Sequence, residues 1–260
     1  MIARWFQRHQ ALILGTSSLI GIVGVWQALA SLGVTNPFFV SSPALIADEF
    51  VVQLRNGTAA ANLGASLYCF FLALGMATVV GVGLGLVSGW FRDFESALDP
   101  FIWFKYSAPT VAFYPLFIAL LGYGAPTIIA IAFLFALTPI YANTLSGIKN
   151  VDRDLVRAAI SFGARRIDVF FKVALPASVP IIVAGLRLGV GRALTGVVVA
   201  ELFGATAGLG YSIAYYAQMF QTTPMMVSIV IVVLLGVILT QLLAFLEAKT
   251  DAWRREPTLR

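Results

Sequence analysis

Five runs of apolar residues, roughly 11–32, 65–88, 127–147, 179–200 and 226–246, constrain this chain more than anything else in it. Each approaches or exceeds the roughly 20 residues that carry a helix across a bilayer. Inside lipid every backbone N–H and C=O must be satisfied within its own segment, so runs of this length predict transmembrane helices and an all-α fold. Composition agrees: 60% of the residues are hydrophobic and 11% charged, against about 25% charged in soluble domains. A sixth run, about 106–122, is shorter and holds Pro109 and Pro115. It predicts a tilted or broken span packed against protein, followed by a tight turn at Gly122–Pro126. The first run follows Arg4 and Arg8 and ends near Ala28-Leu29-Ala30, which also fits a signal peptide. Its length and the spans after it favour a retained helix. The expectation is one polytopic membrane domain over 1–260 with six transmembrane helices.

Charge sets the expected orientation. With six spans and both termini cytoplasmic, 14 of the 17 Lys and Arg residues fall in inside segments, Lys105 among them. Arg55 alone falls outside, and Arg187 and Arg192 lie within the fifth span. This is the positive-inside bias, and it accounts for the net charge of +5 without a nucleic-acid partner. The external pieces are then 33–64, with a short helix expected over Ala44–Arg55, and 203–225, rich in Gly and Tyr. A lone cysteine, Cys69, and a lone histidine, His9, supply neither a disulfide framework nor a metal cluster, and no catalytic set stands out. No phosphate-binding loop of the Gly-x-x-x-x-Gly-Lys-[Ser/Thr] form occurs, so energy is expected from a partner or an ion gradient.

Between the third and fourth full runs, 149–176 is polar and basic. Asp152 and Asp154 suit a helix start, Gly163 a bend, and 165–174 a second helix, stopped by Pro176. That second helix sets Arg165, Arg166 and Lys172 beside Ile167, Phe170 and Phe171. Two short amphipathic helices at a turn suit a cleft on another protein. A basic helix resting on anionic lipid is the other reading.

On these residues the chain resembles the membrane-spanning permease subunits of binding-protein-dependent ABC importers. The hallmark of that family is a Glu-Ala-Ala loop, then Gly, then a terminal Leu-Pro. Here Arg157-Ala158-Ala159, Gly163 and Leu175-Pro176 stand at that spacing, with Arg157 where the family usually has Glu. Gly185–Arg192, Val198–Leu202 and Gly208–Gly210 extend the likeness toward the branch that imports nitrate, sulfonates, taurine, bicarbonate or thiamine-precursor pyrimidines. The resemblance implies docking of 157–172 into a cytoplasmic ATP-binding subunit. It also places the chain in the inner membrane of a bacterial-type cell, with a second permease copy, two such subunits binding ATP and Mg, and a solute-binding protein outside. No cofactor is expected on this chain. The solute would be a small anion or a vitamin precursor, moved inward by alternating access. An ion-coupled secondary transporter and a non-transporting assembly protein are the alternatives; the former would need an internal repeat, and none is evident.

Ionisable groups within a span are costly and often functional. Arg187 could reach toward the cytoplasmic interface, whereas Arg192 is deeper. A structural or gating role and attraction of an anionic solute both fit them. Glu201, near the outer end, is a candidate for the same path or a surface cap. Gly81, Gly85 and Gly89, and Gly185 with Gly189, recur every four residues and predict close helix contacts.

Overall fold

A computed structural model describes the backbone of residues 2–34, 36 and 39–251 and the side chains of 14–34, 36 and 39–245. Arg4, Arg8, His9, Lys249 and the basic residues beyond it fall outside the described side chains. Every regular element among the described residues is helical. In chain order these are α1 (Ile2–Ser31), α2 (Pro43–Arg55), α3 (Thr58–Trp90), α4 (Arg92–Ser107) and α5 (Tyr114–Leu121). After them come α6 (Ala125–Lys149), α7 (Arg153–Ser161), α8 (Arg166–Val169), α9 (Leu175–Gly204), α10 (Leu209–Gln218) and α11 (Thr222–Asp251). Five helices are long and apolar enough to cross a membrane. The end of the bundle carrying Lys149 and Arg166 is called the basic end below, and the opposite end the α10 end.

The core is α3, α6 and α9. Ala73, Ala77, Ile131, Ala132, Ala136, Ile140, Ala193, Val197 and Ala200 are all fully buried between them. Small residues let the backbones approach, and dispersion supplies the attraction that hydrophobicity cannot supply in lipid. The four-residue glycine spacing does what it predicts. A Cβ at Gly81, Gly85 or Gly89 would stand 2.9, 2.5 or 2.6 Å from Ile140, Thr144 or Ile148 of α6. From the other side, a Cβ at Gly185 or Gly189 would stand 2.6 Å from Asn143 or Ile140. Ile140 is therefore seated between a glycine of α3 and a glycine of α9.

The sixth span, third in chain order, is broken, and it begins further upstream than the run 106–122 implies. Helix α4 and the segment Thr110–Leu121 meet at 93°. Ala108 is extended (φ −79°, ψ 131°), the conformation forced on a residue before proline, here Pro109. Near its start α4 is tied to the basic end of α6 by Glu95 and Lys149, 2.7 Å apart. Near its end Lys105 donates to Thr138, eleven residues along α6 from Lys149 and so about 16 Å deeper. Lys105 is thus not in an inside loop, as the charge count places it, but half way along a span. Past the break, α5 leads to Gly122, whose carbonyl accepts from Thr127 Oγ1 at 2.6 Å. The Gly124 N–H then bonds the Gly204 carbonyl at the α10 end (3.2 Å).

At that end a buried carboxylate fastens α10 to the core. Glu201 is 1% exposed. Ser66 Oγ lies 2.7 and 2.9 Å from its two oxygens, and the Gly210 N–H donates to Oε2 at 2.8 Å. Ser66 in turn accepts from the Leu209 N–H (2.8 Å), and Asn62 accepts from the Gly208 N–H (3.0 Å). The first amides of α10, which have no helical acceptor, are satisfied by α3 and α9. A Cβ at Gly208 or Gly210 would collide with Glu201. The two glycines are the space the carboxylate occupies.

Three substitutions test this packing. Gly85→Val should destabilise the purified protein by about 1–3 kcal/mol through overpacking, seen as a lower Tm in detergent. Gly83→Ala, with no neighbour within 4 Å, should leave Tm unchanged. Glu201→Ala strands the Gly210 amide and should cost about 1–3 kcal/mol, with earlier proteolysis near α10. Equal stability of Glu201→Ala and the parent would show that the clamp holds nothing.

Candidate functional site

The polar segment between α6 and α9 has its own architecture. Asp152 caps α7, its Oδ1 accepting from the Asp154 N–H at 2.8 Å. Arg157 lies on the exposed face of α7 and pairs with Asp154 at 3.5 Å. Both are open to water, where such a pair contributes little. Ala158 and Ala159 follow on the same helix, and their carbonyls close its end. Phe162 N–H bonds Ala158 O (3.1 Å), Gly163 N–H bonds Ile160 O (2.9 Å), and Ala164 N–H bonds Ala159 O (3.1 Å). This is the glycine-terminated helix end in which the residue past the cap is left-handed; Gly163 has φ +82°. A Cβ there would meet nothing within 4 Å, so the constraint is backbone conformation and not space.

The second half is held against α3. The Arg166 guanidinium lies 5.7 Å from the Trp90 ring centroid, and Phe170 meets the same ring edge-on at 5.0 Å. Arg165 is the extended residue before α8, and Lys172 pairs with Asp168 at 2.7 Å. Pro176 does not stop the helix as its position implies. Residues Phe170–Ala174 form a wide π turn in which the Leu175 N–H reaches back to Phe170 O. The turn makes room for the proline ring, and Leu175 and Pro176 become the first turn of α9. Arg166–Gly204 is one helical run of 39 residues. Along 153–171, Leu155, Ile160, Phe162, Ile167 and Phe171 are exposed, Phe162 to 92%. The segment is an apolar and basic surface on a fixed mount.

The second cluster lies on one face of α9. Arg187, Leu188, Gly191, Arg192 and Thr195 line a cavity of about 690 Å³ with Thr240 of α11. Arg192 also lines a second cavity, about 550 Å³, whose far wall is Lys105 and Tyr106 of α4. The arginines therefore share a groove, and Glu201 does not join them: it is consumed by the clamp at the α10 end. Lys105 is the residue that sequence reasoning missed. Only sixteen residues separate it from Gly122, fewer than a crossing needs, so the span had to begin before it.

Comparison with known proteins places the chain. The model of the family described as "Binding-protein-dependent transport system inner membrane component" matches residues 77–252. SsuC of Bacillus subtilis (strain 168), a permease protein named for aliphatic sulfonates transport, is 32% identical over 233 residues, covering 90% of this chain and 84% of that one. The taurine transport system permease protein TauC of Escherichia coli (strain K12) is 29% identical, covering 97% and 94%. In fold, an inward-facing structure of the MetNI methionine ABC transporter aligns with a TM-score of 0.65 at 17% identity, covering 73% of this chain and 94% of that one. The matched residues run from α3 into α11 and take in both the polar segment and the arginine groove. This chain belongs to the binding-protein-dependent inner membrane transport components, the permease subunits of ABC importers.

Proposed function

We propose that this permease works as a pair of identical subunits, each docking one ATP-binding subunit through residues 153–172 and together receiving solute from an external binding protein. The observation that carries the docking is the unpartnered apolar set on that segment, with Phe162 at its tip. A lipid-resting helix would lay such residues flat along the interface. Here they sit on two helices set apart by the left-handed turn at Gly163, with the second fixed to Trp90. A convex, rigid, apolar projection with Arg157, Arg165 and Arg166 around it fits a cleft with acidic edges.

ATP and Mg bind on that partner, and this chain does no covalent chemistry. The basic end faces the cytoplasm of a bacterial-type cell, consistent with the positive-inside rule. Helix α9 supports a second copy. Arg192 is exposed on one chain, and an arginine at mid-bilayer costs at least about 2.5–3.5 kcal/mol. Two such faces turned toward each other enclose a wet path and remove the charges from lipid. Drawing the two docking segments together and apart then opens the path alternately outward and inward. Relatives named for sulfonates and taurine support a small charged solute.

Gly163→Val should insert normally but lose co-purification with the ATP-binding subunit, because valine is strained at positive φ. Phe162→Asp should do the same without disturbing the turn. Full association and transport by both would overturn the docking. Orientation is tested with Phe162→Cys in a Cys69→Ala background. A membrane-impermeant thiol reagent should label it only after the cells are opened; labelling in intact cells reverses the topology.

A further inference from the structure

The break in α4 and the exposed face of α9 set two cations against one cavity half way through the span. Lys105, Tyr106, Thr110, Thr138, Leu188 and Arg192 line that space of about 550 Å³. Lys105 donates to Thr138, which fixes the ammonium on the α6 wall. The level of Arg192 is set by its neighbours. Gly189 packs on Ile140, and Gly196 packs on Ala132 and Phe135, so Arg192 lies opposite the middle of α6.

Neither cation has a carboxylate. The carboxylates Glu95, Asp154 and Asp168 pair with Lys149, Arg157 and Lys172, away from both. No Asp or Glu lines this cavity or the one it shares Arg192 with. Asp99 lines the adjoining space toward the basic end, beside Lys149. Two like charges at mid-span raise each other's cost, and a counter-charge arriving through water removes that cost.

The geometry points to Lys105 and Arg192 as an anion-binding station on the translocation path, taking a small oxyanion head group such as a sulfonate, nitrate or carboxylate. The assignment rests on the transport reading above, since the two charges need a wet path. Arg192 offers a planar fork to two oxygens and Lys105 a point charge to a third. Tyr106 and Thr110 add hydroxyl donors on the same wall. A cavity of this size accepts the head group with a short tail and water. Selection is by charge: a neutral isostere leaves both cations uncompensated.

The test uses the purified permease in nanodiscs of zwitterionic lipid, which removes anionic head groups as a source, in chloride-free buffer with gluconate as bulky counter-ion. Methanesulfonate should raise Tm saturably, and dimethyl sulfone, its neutral isostere, should not. Lys105→Gln and Arg192→Gln should each weaken the methanesulfonate response by about tenfold. Lys105→Arg, which keeps the charge, should stay within about threefold of the parent, and Arg192→Lys, which keeps the charge but loses the fork, should fall between the parent and Arg192→Gln. Equal responses to sulfonate and sulfone, no response in the parent, or Gln variants that respond like the parent would each overturn the station. If a Gln variant does not fold, the sulfone comparison on the parent decides. Co-purification of the parent permease with the ATP-binding subunit separates the two ideas: docking kept with no anion response in the parent refutes the station alone, and an anion response in the parent with docking lost refutes the docking alone.

Discussion

Ile140 is the side chain on which the bundle turns. It is fully buried, with Gly81 of α3 on one side and Gly189 of α9 on the other. Because both neighbours lack a Cβ, three helices approach one another at the same depth, and the rest follows from that height. Thr144 and Ile148 continue the α3 contact toward the basic end, where Trp90 meets Arg166 and Phe170. Ala136 and Ala132 continue the α9 contact toward Glu201. The packing leaves no slack for one helix to slide past another. Relative motion has to be carried by whole helices, or by the looser elements α4 and α11 at the sides of the core.

The arginine groove is the region the packing leaves open. Along α9 the buried positions, such as Gly185, Gly189, Ala193 and Gly196, alternate with Arg187, Leu188, Gly191 and Arg192 on the opposite face. One helix thus serves as core on one side and as the wall of the open groove on the other. The broken α4 serves the groove from across the cavity. Its 93° bend at Pro109 brings a lysine to mid-depth without a lysine-bearing helix having to cross the bilayer whole.

Much of this was legible before any coordinates. Five spans were marked by apolar runs, and the glycine contacts by their four-residue spacing, because both are properties of single helices. The turn after α7 was legible because only glycine sits comfortably at its left-handed end. What escaped was what depends on distant residues. Glu201 reads as a surface cap until Ser66 and Gly210, far apart in sequence, close on it. Pro176 reads as a stop because nothing in the local sequence announces a π turn. Lys105 reads as a loop residue because hydropathy sees the break in the sixth span but not where along α6 the break falls.

The unbroken run from Arg166 to Gly204 has a mechanical consequence. At 1.5 Å per residue, its 39 residues form a rod about 58 Å long, nearly twice the roughly 30 Å hydrocarbon layer. One tip carries Arg166 and the proposed docking surface, and the other ends three residues past Glu201. A tilt of about 5° at one tip sweeps the other through about 5 Å. With the docking proposed above, leverage along this one helix, and no relay of side chains, would connect an event at the nucleotide-binding partner with the mouth on the far side of the membrane.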